Sequence, residues 1–303
     1  MSPDLSVIVV SYNVADWLQR CLASILSSPP PGTEVFVVDN ASSDGSAALV
    51  CSRFPQAQLI ALDRNIGFGA ANNVAIRRSS GRYVALVNPD CEVQGQSLAH
   101  LVAFMDAHPR AAVAGGRLRY GDGAFQHSAF RFPSLAQVFL DVFPVNWRLA
   151  ESRLNGRYPR AWDERAFQID HPLGAFFVVR RAAIDAAGLF DEGFFMYAEE
   201  VDWCYRFKRA GWEVWHCPTA LAIHHGGRST RQHAGPMFVQ LQRSRLRLYR
   251  KHYPRWFQRT AKAIVGLGAA RIAAGEWLAG ARARGRQPDR RERARACLEV
   301  LRL

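Results

Sequence analysis

The sequence predicts an α/β fold with a doubly wound, mostly parallel sheet and a basic helical extension at the C-terminus. Short apolar runs rich in β-branched residues alternate with segments of helical spacing, as in parallel sheets covered by helices. Several of these runs end in Asn or Asp, at the strand ends where such folds bind ligands. The excess of positive charge is confined to the last fifth of the chain.

Length, composition and charge suit one large domain with an appendage. The chain has 303 residues, 49% of them hydrophobic, and a formal net charge of +13. Residues 243–303 hold 17 basic and 4 acidic residues, which is the whole excess. We therefore predict one domain over residues 1–235 and a basic helical region over residues 236–303. A basic region favours an anionic partner such as a membrane surface, and the neutral body has no motif for nucleic acid.

The sequence also indicates a compartment. Its six cysteines include no Cys-x-x-Cys pair, which favours reduced thiols over a zinc site or a disulfide framework. The N-terminus enters a strand pattern directly, without the segments of an export signal, and no run of about 20 apolar residues predicts a membrane span. We expect a cytoplasmic protein, with its basic region peripheral on the inner face of the cytoplasmic membrane.

The first 115 residues alternate strand and helix. Leu5–Val10 is a continuous apolar run typical of a buried parallel strand. Helical spacing follows over Val14–Leu26 and is ended by the turn residues 29–32. The same alternation predicts strands at Glu34–Val38, Gln58–Leu62, Tyr83–Val87 and 111–115, and helices from about Ser43, over Asn65–Arg78 and over 97–107.

The second half of the chain is less regular. Residues 118–170 are rich in aromatics and Arg, and we expect this connecting region to line an acceptor cleft. A strand within 171–181 carries Gly174, a small residue where another group can approach closely. Further short strands are predicted at Glu213–Cys217 and Ala220–Ile223, and a basic helical pattern begins near Pro236.

Three carboxylates within four residues mark the most informative stretch, residues 190–206. Glu199, Glu200 and Asp202 fall in the first turn of a predicted helix. A helix N-terminus stabilises anions, so charge complementarity alone is one interpretation. Asp202 and Arg206 stand four residues apart and can form an ordinary surface pair. The other interpretation is a base that removes a proton, favoured by the polar motifs elsewhere in the chain.

Two of those motifs follow strands and precede helices. Asp39 begins a run of small polar residues that can bind a ribose or base, or can simply form a turn and cap a helix. The segment Asn65–Asn73 contains Gly67 and Gly69, which let a backbone approach a phosphate closely. It lacks the spacing of the well-known phosphate loops, so a flexible helix start is an equal alternative.

Two further motifs suggest a divalent cation. Asp90 ends the tripeptide Asn88-Pro89-Asp90, where a carboxylate can hold a hard cation that bridges a diphosphate, although a turn aspartate is the simpler interpretation. The segment from His224 to Ser229 follows a predicted strand. Adjacent histidines on a strand point to opposite faces, so at most one is expected in the site. Arg228 or Arg231 could meet phosphate.

Taken in order, these motifs resemble the inverting family 2 glycosyltransferases of the GT-A fold, especially their bacterial rhamnosyltransferase-like branch. The resemblance covers about residues 4–255 and rests on segments 9–13, 38–45, 65–73, 88–90, 190–206 and 224–229. It implies a GT-A nucleotide-diphospho-sugar transferase fold. It also implies transfer of a sugar from a nucleotide-sugar to a glycan or lipid-linked acceptor in cell-envelope polysaccharide synthesis. The branch suggests dTDP-L-rhamnose as donor, although the residues themselves settle neither the base nor the sugar.

The resemblance also implies residue roles. Ser11, Asn13 and Asp39 would line the nucleoside pocket, and Asn65, Gly67 and Asn72 would lie near the nucleotide-sugar. Asp90 and His224 would bind Mg²⁺ or Mn²⁺, with Asn88 standing where the family often has a first aspartate of its metal motif. Glu199 would be the catalytic base, with Glu200 as the second choice. Asp202 and Arg206 would order the loop and helix, while Gly174 and Phe190–Phe195 would border the acceptor.

Three other functions are compatible with parts of this pattern. A sugar nucleotidyltransferase would normally have a basic, Gly-rich triphosphate loop near the N-terminus, and residues 7–13 do not have that sequence. A processive polysaccharide synthase would want membrane spans and a Gln-x-x-Arg-Trp motif, which are absent from the sequence. A non-catalytic nucleotide-sugar-binding protein is suggested by Asn88, whereas Glu199, Glu200 and His224 argue for an enzyme.

Overall fold

The computed structural model describes residues 4–143, 152–226, 234–282 and 288–303, together with Leu149. These residues group into two compact units. The first contains the described parts of 1–132, 158–195 and 199–229, and the second contains those of 133–157, 196–198 and 230–303. The boundary predicted at 235/236 stays a prediction, and the grouping adds that segment 133–157 associates with the C-terminal helices.

A ten-stranded mixed sheet forms the centre of the first unit. Its main strand order is β3-β2-β1-β4-β11-β6-β12-β5, with β7 beside β6 and β9 beside β12. Strands β1 to β4 are parallel, whereas β11 runs antiparallel to both of its neighbours. The strands are β1 (Leu5–Ser11), β2 (Thr33–Asp39), β3 (Gln58–Ala61), β4 (Tyr83–Val87), β5 (Cys91–Val93), β6 (Ala111–Arg119), β7 (Phe125–Gln126), β9 (Phe167–Gln168), β11 (Phe176–Arg180) and β12 (Glu213–His224). Strands β8 (Ala129–Phe130) and β10 (His171–Pro172) form a separate antiparallel pair.

Helices cover both faces of this sheet. They are α1 (Ala15–Ser27), α2 (Ser46–Arg53), α3 (Phe68–Arg78), α4 (Ser97–Ala107), α6 (Arg181–Ala187) and α7 (Glu199–Arg209). Each face carries its own apolar core, since alternate residues of a strand point to opposite sides. In β1, Val7 and Val9 pack on one side and Ile8 and Val10 on the other. This two-sided burial explains the continuous apolar run of the strand, and the predicted α/β fold is confirmed.

Several element boundaries differ from the sequence prediction: β11 begins at Phe176, so Gly174 precedes that strand, and two other differences have a local cause. Helix α2 begins at Ser46 rather than near Ser43, because Gly45 has a left-handed φ of 88° and Asp44 caps the helix by accepting from the Ser46 amide. The two short strands predicted over 213–223 are one strand, β12. Its pairing with β6 shifts register between Cys217 and Leu221, so the interruption read from the sequence is an irregularity within one strand.

The second unit is helical. It contains α5 (Leu135–Val142), α8 (Ala234–His252), α9 (Arg255–Arg282) and α10 (Pro288–Leu301). Helix α9 packs on α5 where Gly268 leaves room for Val142, since a methyl group at Gly268 would lie 2.6 Å from that side chain. No helix in the described residues is both long and apolar enough to cross a membrane.

Candidate active site

Ser11 and Asp39 form a buried polar pair at the carboxyl edge of the sheet. The parallel register of β1 and β2 places them side by side at the ends of their strands. Asp39 Oδ2 accepts from the Ser42 amide at 3.1 Å. Ser11 Oγ and Asp39 Oδ1 are buried and have no hydrogen-bond partner among the described residues. A buried polar atom without a partner costs about 1–3 kcal/mol, so this pair is suited to a ligand that supplies polar groups.

Asn13 joins the loops that follow these two strands. It has a positive φ of 52°, which asparagine tolerates better than most residues. Its side-chain Oδ1 accepts a hydrogen bond from the backbone amide of Ser43 at 2.8 Å, and its backbone amide donates to Ser42 Oγ at 3.0 Å. Asn13 thus ties together the two loops that follow Ser11 and Asp39. Ser42 was not singled out from the sequence, because small polar residues after a strand look like an ordinary turn.

The predicted nucleotide-sugar residues Asn65, Gly67 and Asn72 make their observed contacts within the protein. Asn65 Oδ1 accepts from Asn40 Nδ2 at 2.9 Å and from the Gly67 amide at 3.0 Å. Asn72 is buried, and its Nδ2 donates to the carbonyl of Phe68 inside α3. These residues build the loop at the start of α3.

Gly67 is required by a close backbone approach. It has a positive φ of 88°, and a methyl group there would lie 2.3 Å from the carbonyl oxygen of Phe195. The Phe68 amide donates to that same oxygen at 2.8 Å. The sequence predicted a close approach at this glycine, and the group that approaches is the loop preceding α7.

Asn73 fastens the other end of that loop and was missed by the sequence reasoning. It is fully buried, its Oδ1 accepts from the Phe190 amide, and its Nδ2 donates to the Phe190 carbonyl and to Glu192. Arg77, one turn later, pairs with Glu192 at 2.9 Å. A signal was available, since two consecutive asparagines inside a helix are unfavourable unless their side chains have partners.

Asp90 and His224 meet in a buried cluster, as the ordered motifs suggested. Asp90 Oδ1 lies 3.4 Å from His224 Nε2, and both residues are buried. Neighbouring ligands of an octahedral ion with bonds of about 2.1 Å stand about 3 Å apart, so the separation suits a shared divalent cation. The amide of Gln126, a buried residue, lies beside His224 Nδ1, with Nε2 at 3.0 Å and Oε1 at 3.2 Å, and its oxygen can fix the ring by accepting a hydrogen bond from Nδ1–H. Gln126 could not be found from the sequence, because it belongs to a two-residue strand in an irregular region.

The neighbours of this cluster are less suited to binding a cation. Cys91 completes the group of three candidate ligands, yet its thiol donates to the Ala175 carbonyl at 3.4 Å, and sulfur is a poor ligand for Mg²⁺ or Mn²⁺. His225 follows the last residue of β12 and bonds Glu92 Oε1 at 2.8 Å, so it has a different partner from His224. The predicted phosphate contacts Arg228 and Arg231 lie outside the described residues.

Glu199 and Glu200 begin α7 in different surroundings. Glu199 is buried, at 3% exposure, and its Oε2 has no hydrogen-bond partner in the described part of the chain. Glu200 is half-buried and reaches Gly174, where a methyl group would lie 3.3 Å from its carboxyl carbon. Gly174 is therefore the small residue that admits this carboxylate to the end of the adjacent strand.

Burial raises the pKa of both carboxyls. The pKa of Glu199 lies well above its ordinary value because of burial and the neighbouring charge of Glu200. Burial raises the pKa of Glu200 to about 7. Hydrogen bonds from the backbone amides of Glu200, Val201 and Gly174 lower this pKa but do not outweigh burial. Two negative charges on adjacent carboxylates repel each other. We therefore expect the more deeply buried Glu199 to be the carboxyl that keeps a proton near neutral pH.

Asp202 and Arg206 hold the turn before the aromatic loop. Asp202 is fully buried and bonds Arg206 Nε at 2.9 Å. The guanidinium of Arg206 also donates to the carbonyls of residues 187, 188 and 189. Within the loop, Phe190 and Phe194 are buried in the core, whereas Phe195 is 38% exposed. Among the three phenylalanines of Phe190–Phe195, an acceptor-facing role is therefore open only to Phe195.

Residues 174 and 175 connect the paired carboxyls with the candidate metal cluster. Gly174 lies against Glu200, and the carbonyl of Ala175 accepts from the Asn88 amide at 2.8 Å and from the Cys91 thiol. The side chain of Glu200 and the turn that carries Asp90 therefore both contact the same short segment, residues 174–175. This arrangement can hold a cation and a proton-accepting carboxylate on one edge of the sheet.

A family model supports the relationship that the motifs suggest. The model described as "Glycosyl transferase family 2" matches residues 6–188. The N-acetylglucosaminyl-diphospho-decaprenol L-rhamnosyltransferase of Mycobacterium tuberculosis (strain H37Rv) is 31% identical over 251 residues, covering 76% of this chain and 78% of that protein. Rhamnosyltransferase WbbL of Escherichia coli (strain K12) is 25% identical, over 74% of this chain and 84% of that protein.

Solved structures share the fold. The mannosyltransferase PcManGT from Pyrobaculum calidifontis, in complex with GDP-Man and Mn²⁺, has a TM-score of 0.58 at 17% identity, covering 99% of this chain and 86% of that one. TarS residues 1–349 from S. aureus has a TM-score of 0.51 at 18% identity, over 98% and 71% of the two chains. At these identities the likeness establishes the GT-A fold alone.

Proposed function

The chain belongs to glycosyl transferase family 2, and we propose that it transfers L-rhamnose from a dTDP-linked donor, with inversion, to a lipid-linked acceptor. The relationship to rhamnosyltransferases of cell-envelope glycan synthesis supports the sugar. The acceptor class follows the relative whose name specifies N-acetylglucosaminyl-diphospho-decaprenol. The observation that carries the proposal is the attachment of Glu200 and of the Asp90 turn to the same segment, residues 174–175.

The buried pair Ser11 and Asp39 would bind the nucleoside. Asp39 Oδ1 has no partner among the described residues and can accept a hydrogen bond from a hydroxyl or N–H group of the ligand. Ser11 Oγ, which also has none there, can accept or donate one. Asp90 and His224 would hold Mn²⁺ or Mg²⁺, with Gln126 orienting the imidazole. When bound, such a cation neutralises the charge that develops on a leaving diphosphate.

Glu200 is the stronger candidate for the base, which reverses the order inferred from the sequence. A base must be ionised and must reach the acceptor hydroxyl. Glu200 is partly exposed and has a pKa of about 7, close to the value that makes a carboxylate an effective base at neutral pH. Glu199 is buried and holds its proton, so its role would be to keep the negative charge of the pair on Glu200.

Two matched substitutions test this assignment. In Glu200→Gln, rhamnosyl transfer to a polyprenyl-diphospho-N-acetylglucosamine acceptor should fall by about 10²–10⁴-fold, the usual contribution of a general base, while donor binding is kept. Glu199→Gln should retain most activity, because glutamine is neutral like the protonated acid. Abolished transfer in Glu199→Gln with an active Glu200→Gln enzyme would restore Glu199 as the base. A wild-type protein that binds the donor without turnover would favour the non-catalytic alternative.

A further inference from the structure

Helix α9 of the second unit presents large apolar side chains to solvent. Trp277 is 72% exposed, Leu267 67%, Trp256 63% and Leu278 50%. Exposed leucines and tryptophans are common singly, but several on one helix mark a surface that another body covers. We call these four side chains the α9 apolar face.

The spacing of these residues gathers them on one side of the helix. Trp256, Leu267 and Leu278 recur every 11 residues, which at 3.6 residues per turn separates them by only about 20° each. Trp277 lies about 60° to one side of Trp256 on the same count. The intervening exposed positions include small alanines. The face therefore runs for about 33 Å along the helix, given a rise of 1.5 Å per residue.

Basic side chains border this face. Helix α9 has five basic residues and one acidic residue. Arg255, Arg259 and Lys262 are exposed on the edge near Trp277, and Arg271 is exposed on the other edge. The acidic residue, Glu276, is directed away from the apolar face and lies 3.7 Å from Arg293 of α10. An apolar stripe between cationic edges is the arrangement of helices that lie in a membrane interface.

Contacts within the second unit hold α9 in place behind the face. Gly268, on its opposite side, packs against Val142 of α5, and Arg271 donates to the Val142 carbonyl at 3.1 Å. Ala261, Val265 and Ala269 are buried on the same inner side. Because the helix is already folded and docked, binding does not have to order it, which lowers the entropic cost of association.

We propose that the α9 apolar face docks on an anionic lipid bilayer, with Trp256 and Trp277 at headgroup depth and the bordering basic residues on lipid phosphates. Tryptophan suits that depth because one side of its ring is apolar and its N–H can bond water or headgroups. A second copy of the chain fits less well, because its like-charged edges would repel. The proposal goes beyond sugar transfer, and its test needs no donor or acceptor.

The experiment is vesicle flotation of the full chain, using phosphatidylcholine with or without phosphatidylglycerol. Wild type should partition onto the anionic vesicles and release at high salt. In Trp256→Ser/Leu267→Ser/Trp277→Ser, partitioning should drop by about tenfold or more, since each large side chain contributes to burial. In Arg255→Gln/Arg259→Gln/Lys262→Gln, partitioning should drop by about tenfold or more and depend less on salt, because three of the bordering cations are removed.

Matched variants elsewhere on the chain distinguish specific binding through the α9 apolar face from non-specific hydrophobic or electrostatic adsorption to vesicles. Tyr120→Ser and Leu154→Ser remove apolar side chains that are 46% and 54% exposed, and Arg53→Gln/Arg78→Gln/Arg110→Gln removes three exposed cations from the first unit. Both sets should bind vesicles like wild type. If the apolar triple variant is poorly folded by circular dichroism, the single Trp277→Ser variant replaces it.

Three results would overturn the proposal. One is wild-type partitioning that is absent or equal on neutral and anionic vesicles. The second is unchanged partitioning of the α9 variants. The third is a wild-type dimer in sedimentation velocity that the α9 variants make monomeric while vesicle binding is absent, which would assign the face to a second copy. Because no sugar chemistry enters the assay, an inactive transferase would leave the outcome intact.

Discussion

Adjacent glutamates at the start of α7 differ in what surrounds them. Glu199 extends beside Gly69 into the interior, where a methyl group on that glycine would lie 3.6 Å from its Cβ. Glu200 reaches the backbone amides of the helix start and of Gly174. Desolvation disfavours the charged form of a carboxyl, whereas amide donors favour it. Neighbours in sequence therefore meet different electrostatic surroundings, and this difference underlies the roles proposed for them.

This difference predicts a pH-dependent stability. A carboxyl whose folded-state pKa is raised destabilises the fold as pH rises from its unfolded pKa towards the folded one, and each pKa unit is worth about 1.4 kcal/mol. Burial and the neighbouring charge of Glu200 raise the pKa of Glu199 well above the ordinary value of a glutamate. Wild type should therefore lose stability relative to the Glu199→Gln variant as the pH rises from 5 to 8. The difference between their unfolding free energies should change by at least about 1 kcal/mol in favour of the variant.

Urea unfolding at several pH values measures that difference. Glu192→Gln is the control, because Glu192 is exposed and hydrogen bonds from Asn73 and Arg77 lower its pKa. The stability difference between Glu192→Gln and wild type should stay constant from pH 5 to pH 8 and shrink only as the pH falls below about 4.3, the unfolded pKa of a glutamate. A Glu199→Gln difference that stays constant from pH 5 to pH 8 would argue against a protonated Glu199.

Among the elements, the loop from Phe190 to Phe195 depends on α3. Asn73 bonds both backbone groups of Phe190, and the start of α3 meets the carbonyl of Phe195 at Gly67. Arg206 of α7 bonds the carbonyls just before the loop. The approach to Glu199 is therefore fixed by two helices as well as by its own sequence.

Gly67→Ala should disrupt this contact. The new methyl group would lie 2.3 Å from a backbone oxygen, and Gly67 has φ 88° with ψ 171°, a conformation that is essentially confined to glycine. Strain and overpacking together should lower the unfolding free energy by about 3 kcal/mol or more. Chemical denaturation of the purified variant measures the loss.

Gly45→Ala provides the comparison. Gly45 also has φ 88°, but with ψ 6° it lies in the left-handed helical region, and a methyl group there would have no atom within 4 Å among the described residues. It should lose only about 1 kcal/mol, the backbone cost alone. Equal losses in the two variants would show that the contact with Phe195 does not matter to stability.

At the scale of the whole molecule, the ends of three strands supply the residues of the proposed ligand site of the first unit. Ser11 and Asp39 end β1 and β2, and His224 ends β12 beside Cys91 of β5. Residues far apart in sequence thus share one edge because parallel strands present their carboxyl ends together. Binding at such an edge should stabilise the whole unit rather than one loop.

A thermal-shift screen tests that expectation. With Mn²⁺ present, dTDP-L-rhamnose at a hundredfold its dissociation constant should stabilise the protein by about 2.7 kcal/mol, and UDP- and GDP-sugars should do less. Asp90→Asn should lose the metal-dependent part of the shift. Glu164→Gln, whose side chain is 80% exposed, should keep it. The same shift without metal, or in Asp90→Asn, would remove Asp90 from the cation site.

Much of the site could be anticipated because its residues sit in local patterns. Asp39 and Asp90 follow apolar runs that had to be strands, and the paired carboxyls begin a helix whose pattern is evident. Gln126 could not be anticipated, and for Asn73 the two adjacent asparagines in a helix signalled only that a partner exists, since each of these side chains bonds a group more than 90 residues away. Their importance follows from packing, which leaves no periodic trace in the sequence.

The sequence by itself determined the α/β alternation, the strand-end polar residues, the glycosyltransferase family and the separation of a neutral body from a basic tail. These are properties of local periodicity, motif order and composition. Only the tertiary structure decided which of Glu199 and Glu200 is desolvated, which glycines meet a backbone, and that Trp256 and Trp277 are exposed on α9. Burial depends on what packs around a residue, and that is set by chain segments distant in sequence.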